Sequence, residues 1–161
     1  MEGTSGNERF YVMALEDIDA STHCWYYNAP YNLDSSYNVN ATANDFAGIG
    51  AEPTGRVNTK RMLTSWNSSQ YGAQNANDMW GLIEDEVTRG WFVLSKSEWS
   101  VFGAVFEITG DNYSSTYGLS DYYWSSSQYN TLGAYDVSFI SSNIYGYNID
   151  YYLYVRLATT F

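Results

Sequence analysis

Between Tyr129 and Phe161 the chain contains no Lys, Glu, Gln, Met or Trp, although residues 1–128 use all five. The stretch Ile140-Ser-Ser-Asn-Ile-Tyr-Gly-Tyr-Asn-Ile-Asp-Tyr-Tyr-Leu-Tyr154 is drawn from Tyr, Asn, Ser, Ile, Asp, Gly and Leu. Good helix formers are scarce there, and beyond Gly110 the texture is all β. The alphabet also has a genetic reading. Each residue type in the stretch can be written by a codon ending in a pyrimidine, and the five missing types cannot. Those five make up roughly a fifth of ordinary usage, so a gap of this length is about a one-in-a-thousand event. The strand bias against Lys and Glu makes it less surprising. The pattern is what remains when Asn codons are randomised at their adenines, which points to a diversified binding surface rather than an active site.

Tyrosine clustering agrees. Ten of the 17 tyrosines lie between Tyr117 and Tyr154. Tyr offers large contact area and a polar tip at little rotamer entropy, although half-buried strands favour it too. The 161 residues fit one domain, 1–161, able to bury a core. A net charge of −11 and only seven Lys+Arg argue against a nucleic-acid partner. The single cysteine excludes an internal disulfide framework. No apolar run reaches membrane-spanning length, so no membrane insertion by this chain is expected. The acidic, polar start Met1-Glu-Gly-Thr-Ser-Gly-Asn-Glu8 does not read as a signal peptide.

Along the chain, Arg9–Leu15 reads as a first strand. The Asn28–Gly55 passage, with Pro30 and Pro53, reads as long loops. Helical spacing predicts a helix over Val57–Trp66 and a second over Gly72–Leu82, with Ala73, Ala76, Met79, Trp80 and Leu82 buried. Gly90–Leu94 is a buried strand or extended segment. Ser95-Lys-Ser-Glu98 is a capping box opening a short helix or turn over Lys96–Phe102. In Ala134–Phe139, alternation assigns Tyr135, Val137 and Phe139 to the core and Asp136, Ser138 and Ile140 to an exposed face. Tyr154–Ala158 is the closing strand, suited to pair with the first.

Gly90-Trp-Phe-Val-Leu-Ser-Lys-Ser-Glu-Trp99 resembles the Gly-Trp-Arg-Leu-Pro-Thr-x-x-Glu-Trp signature of C-type lectin folds of the formylglycine-generating-enzyme type. Leu94 departs from it, standing where the family usually has Pro. Gly118-Leu-Ser-Asp-Tyr-Tyr-Trp-Ser-Ser-Ser127 resembles their Tyr-Trp-Ser-Ser segment. With the restricted alphabet downstream, most of the chain looks like the variable protein of a diversity-generating retroelement. That resemblance implies an α+β C-type lectin fold: two short helices packed on small antiparallel sheets, paired N- and C-terminal strands, and long loops. It also implies a variable region over 129–154 whose side chains face outward. Trp91, Trp99, Trp124, Tyr135, Val137, Phe139, Val155 and Leu157 would then hold the scaffold. Ser125 to Ser127 would satisfy buried backbone groups.

Catalytic and metal chemistry find little support. Enzymes of this fold type use a cysteine pair near the C-terminal part of the domain, where this chain has none. Cys24 and His23 are strand neighbours facing opposite ways, with no third group in view to orient a base, so Cys24 reads as a buried structural residue. One His and one Cys argue against zinc. The acidic runs Glu16-Asp17-Ile18-Asp19 and Glu84-Asp85-Glu86, and the loop residues Asp111 and Asn112, read as solvated surface. Calcium would need about six converging oxygens. Glu52-Pro53-Thr54 and Trp66-Asn67-Ser68 each break the sugar-binding lectin signatures at the third residue. Nothing singles out a carboxylate pair for glycoside hydrolysis. The sequons at Asn40, Asn67 and Asn112 are chance matches in an Asn/Ser-rich chain.

The sequence therefore predicts a non-enzymatic binder without cofactor, catalytic group or metal, displayed on a surface or virion as part of a larger assembly. Its partner would be a protein or glycan ligand on another cell or host surface. The contact residues expected are Asn130, Leu132, Gly133, Asp136, Ser138, Ile140, Tyr145, Tyr147, Asn148, Asp150, Tyr151 and Leu153. The alternatives are a fixed-function structural, adhesin or tail-fibre domain, and a degenerate formylglycine-generating-type enzyme.

Overall fold

The structure, a computed structural model, describes residues 11–29 and 55–160. The expected loops between residues 30 and 54, with Pro30, Asn40, Glu52 and Pro53, lie outside the described residues, as does the N-terminal part of the first expected strand. The described chain is α+β, with four helices and two small antiparallel sheets. Its elements are β1 (Tyr11–Met13), α1 (Gly55–Asn67), α2 (Met79–Thr88), β2 (Phe92–Val93), α3 (Lys96–Val105), α4 (Tyr113–Tyr117), β3 (Tyr122–Asn130), β4 (Gly133–Ser138), β5 (Asn143–Asn148) and β6 (Leu157–Thr160). One sheet has the order β1-β6-β2 and the other β3-β4-β5. The first and last strands pair as expected, with Tyr11 opposite Thr160 and Met13 opposite Ala158.

Several local rules produce these elements directly. Helix α1 buries Met62, Leu63 and Trp66 at helical spacing. It also buries Thr59, whose hydroxyl accepts from the Val93 amide at 3.0 Å and so ties the helix to β2. The capping box is present: Glu98 N donates to Ser95 Oγ at 3.3 Å and Ser95 N to Glu98 Oε2 at 2.7 Å. The same Oε2 accepts from Gly55 N at 2.9 Å, so one carboxylate fixes the starts of two helices. Gly55 has no side chain for a steric reason: a Cβ there would lie 2.5 Å from the Val93 carbonyl.

Four local expectations are corrected. Residues 72–77 are not helical, and α2 starts at Met79 with Met79, Trp80 and Ile83 buried. Short polar side chains capture the backbone upstream: Asn77 N donates to Asn75 Oδ1 at 2.9 Å and Asn75 N to Asp78 Oδ2 at 2.9 Å. Beyond Gly110 the chain is not all β, because α4 intervenes and ends at Gly118, whose φ is +59°. Helix α3 runs on to Val105, beyond the expected Phe102. The closing strand begins at Leu157 because the residues before it bond elsewhere. Tyr154 N donates to Tyr122 O at 3.2 Å, and Ile18 N donates to Val155 O at 3.0 Å.

The β3-β4-β5 sheet carries a hydrophobic cluster on each face. Trp124 and Ala134 join Trp25, Trp66, Trp80 and Ile83 on one side. Tyr123 and Val137 join Phe92, Trp99, Phe102 and Phe139 on the other. Alternation along β3 and β4 sends successive side chains into opposite clusters. Across the second cluster runs a polar tie. Asp17 Oδ1 accepts from Arg156 Nε and from the Tyr123 hydroxyl, both at 2.7 Å, and Oδ2 accepts from Ser120 Oγ at 2.9 Å. Arg156 Nη2 donates to Gly118 O at 2.7 Å. Asp17, expected on a solvated surface, is thus largely buried: the side-chain exposures of Arg156 and Asp17 are 4% and 13%.

Removing one partner of such a pair leaves a buried, uncompensated charge. Asp17→Ala is therefore expected to destabilise the fold by about 3 kcal/mol or more. Urea denaturation measures this, and an unchanged midpoint would show that the tie contributes nothing.

Candidate functional site

Strand β5 is the outer strand of its sheet and exposes most of its length, whereas β4 is central and buried. Tyr145 on β5 and Tyr151 in the following turn are exposed. Tyr147 is half-buried, packs on the first cluster, and meets the Tyr151 ring edge-on at 5.2 Å between centroids. The Tyr145 hydroxyl donates to Ser141 Oγ at 3.3 Å. Tyr145 and Tyr147 are two residues apart on β5, and Asp136 lies opposite Tyr145 on β4, so these side chains share one face of the sheet. Tyr129 lies on the opposite face, against Gly146 and edge-on to Tyr135 at 5.1 Å.

The twelve expected contact residues do not all reach solvent. Asn130, Ile140, Tyr145, Asn148, Asp150 and Tyr151 are exposed, and Leu132 and Tyr147 are half-buried. Gly133, Asp136, Ser138 and Leu153 are buried. Asp136 and Ser138, expected to face outward, are buried because β4 has no solvated face. Both faces are covered, so alternation separates two cores rather than core from solvent. Leu153 packs in the first cluster and its backbone pairs with His23. Nor do the residues form one patch. Ile140 lies beyond the far end of β4 and Asn130 sits on β3 opposite its first residue, Gly133, roughly 20 Å apart at strand rise. Asn130 is engaged in the turn, where its Oδ1 accepts from Leu132 N at 2.8 Å. The sequence reading missed Tyr129, Asn143 and Tyr152, all exposed. The Tyr151-Tyr152 pair was the available signal, because a turn exposes neighbours that a strand would separate.

Beneath this surface Ser125 Oγ donates to the Tyr135 carbonyl at 2.8 Å, and Ser127 Oγ accepts from Lys96 N at 3.1 Å. Ser125 and Ser127 serve the backbone as expected, whereas Ser126 Oγ is buried with no hydrogen-bond partner. The Lys96 ammonium sits 3.9 Å from the Tyr135 ring centroid, a cation–π contact.

The Cys24 and His23 pair also differs in part from expectation. A third group does face His23: its Nε2 lies 3.0 Å from both Asp19 oxygens. Burial pushes the Asp19 carboxyl up, but the Ser21 amide and His23 outweigh it and the net shift is downward. Cys24 is fully buried, and its Sγ donates to the Asp150 carbonyl at 3.4 Å. Burial raises the thiol's pKa, which disfavours the nucleophilic thiolate. Among the described residues, no three His, Cys, Asp or Glu side chains are grouped to hold a metal ion. No described helix is long and apolar enough to cross a membrane.

No family model matches the chain, and no curated protein matches it significantly. Among solved structures it is similar to a fimbrial protein from Bacteroides ovatus, with a TM-score of 0.59 and 15% identity over 94% of this chain. The chain spans 35% of that protein's chain, about a third. At this identity the likeness concerns the fold alone.

Asp136 is the least comfortable group on the sheet. It is fully buried, and neither carboxylate oxygen has a hydrogen-bond partner at proper geometry. Burial pushes its pKa up to about 7, against a smaller pull from the amides of Asp136 and Tyr145. The folded value exceeds the unfolded one, so the native state keeps a proton that the unfolded chain has lost. Stability should then fall as pH rises from about 4 to about 7. Asp136→Asn removes that loss: it should unfold at higher urea than the native chain at pH 8, by on the order of a few kcal/mol, and nearly alike at pH 4. A difference that does not change with pH would show that Asp136 is not the group responsible.

Proposed function

We propose that this chain is a non-enzymatic ligand-binding domain of C-type lectin type, displayed on a cell or virion surface. Its contact surface is the outer strand β5 with the turns on either side, residues 140–152. The observation that carries this reading is the concentration of exposed tyrosines, Tyr145, Tyr151 and Tyr152, on an outer strand and turn written in the restricted alphabet. Tyrosines anchor contacts at little entropic cost, while Asn143, Asn148 and Asp150 supply polar selectivity. The ligand would be a protein or glycan on another cell.

Adenine-directed diversification is the finer form of the proposal. Polar or volume-changing substitutions cost several kcal/mol in a core and little on a solvated turn. Variation would therefore be confined to Ile140, Asn143, Tyr145, Asn148, Asp150, Tyr151 and Tyr152. Ala134, Asp136, Val137, Phe139, Ile149 and Leu153 would stay fixed despite lying in the same segment. The similarity to a fimbrial protein favours a second reading, a fixed adhesin or structural domain of a surface appendage.

Deep sequencing of the 3′ end of the gene across one population separates the two. The expected result is substitution at the seven exposed codons, at adenines of an invariant template copy nearby. Invariance there, with ordinary drift elsewhere, would put the fixed adhesin reading ahead. Alanine substitutions give a second check. Tyr145→Ala should leave the melting temperature unchanged, whereas Tyr147→Ala should lower it, because Tyr147 packs on the core. Equal effects on both would remove the distinction between contact surface and support.

A further inference from the structure

A pocket of about 180 Å³ opens between β1 and α3. Val101, Phe102, Val105 and Phe106 form its α3 side, Tyr11 stands on the β1 side, and Glu98 lies at the helix start. Val105 and Phe106, 68% and 48% exposed, stand at its mouth. The lining is almost wholly hydrocarbon and aromatic, with one carboxylate. Glu98 is only 6% exposed, and its two oxygens are treated differently. Oε2 accepts from the amides of Gly55 and Ser95, whereas Oε1 is buried with no hydrogen-bond partner. Burial raises the Glu98 pKa on balance, and the Ser95 and Gly55 amides and the nearby Tyr11 hydroxyl oppose it without reversing it; the Tyr11 hydroxyl is not at bonding geometry to Oε1.

Few buried acceptors in native proteins stay unsatisfied, and this one belongs to a side chain that lines an open apolar pocket. The missing complement is a hydrogen-bond donor rather than a countercharge. Two amides already meet the carboxylate, and it sits at the N-terminus of a ten-residue helix, whose dipole favours negative charge. Size narrows the body: an apolar cavity of about 150 Å³ is enough to hold a benzene ring.

We propose that this pocket binds a small neutral molecule of the phenol or indole class. The ring would lie among Val101, Phe102 and Phe106, and its single donor would point at Glu98 Oε1. The site is separate from the tyrosine-rich surface of β5 and stands or falls independently of the function proposed for that surface.

The test compares p-cresol with toluene, the same ring without the donor, by NMR titration of the full chain while following the amides of α3. The expected preference for p-cresol is roughly tenfold, as for one hydrogen bond to a charged acceptor. Glu98→Gln preserves the capping box, since Gln serves there as well as Glu. Its carboxamide oxygen would take the two amides and turn the NH2 group into the pocket. The variant should lose the p-cresol preference and gain one for benzonitrile, an acceptor-headed ring. Val101→Trp should fill the pocket and abolish binding of every probe. Equal affinities for toluene and p-cresol, binding that survives Val101→Trp, or no binding at all would overturn the proposal. Should Glu98→Gln fail to fold, the ring comparison and Val101→Trp still decide it.

Discussion

The Asp17 carboxylate ties together segments from the two ends and the middle of the chain. Its bonds reach Arg156, 139 residues away, and Tyr123 and Ser120, just over 100 away. Arg156 in turn holds the Gly118 carbonyl, at the end of α4. The N-terminal segment, the start of β3 and the approach to β6 thus meet at one nearly dry ion pair. Replacing such a pair by apolar residues is often neutral, so its worth lies less in net stability than in register. The backbone bonds around it have little latitude. Ile18 N reaches Val155 O and Ala14 N reaches Leu157 O, on either side of Arg156. With those positions set, the three-residue β1 can pair with β6 despite offering few ladder bonds of its own.

Carboxylates repeat this role at other junctions. Asp78 is 1% exposed and accepts from Tyr27 N, Trp66 Nε1 and Asn75 N, joining the segment after Cys24, helix α1 and the turn before α2. Glu98 joins α1 to α3. A protein with a net charge of −11 thus places several acidic groups inside, each held by backbone amides, hydroxyl or indole donors, or a single cation. This also marks Asp136 as the exception, since it is fully buried with no satisfied oxygen.

Which parts were legible follows from how local their causes are. Helix α1 and the capping box depend on spacing within one segment, so Met62, Leu63, Trp66, Ser95 and Glu98 could be placed from sequence. The pairing of first and last strands was also legible, because both are β-rich ends of one chain. The start of α2 was not, since Ala73 and Ala76 fit a helical face while Asn75, Asn77 and Asp78 draw the backbone into a turn. The faces of β4 were illegible for a different reason. Alternation says that Asp136 and Val137 point apart, but not what covers each side, and here Trp124 lies beside Asp136 and Tyr123 beside Val137. Asp17 was hidden in an acidic run that looks like solvated surface, and its partner lies at the far end of the chain.

The same architecture sets a limit on what the restricted alphabet can mean. A segment free to vary must be free of packing, yet the 129–154 segment crosses the sheet twice, with all of β4 and all of β5, and includes the end of β3. Of these, β4 contributes Ala134 and Val137 to opposite cores, and each is flanked by strands on both sides. Strand β5 has a neighbour on one side only, which leaves its outer edge and the two adjoining turns as the part where side chains can change at little cost to the fold. A diversified binder on this fold would therefore need fixed codons threaded between variable ones. A fixed adhesin would need only the Tyr, Asn and Ser composition that suits an outer strand. The alphabet alone fits both, and the interleaving of buried and exposed positions is what makes them distinguishable.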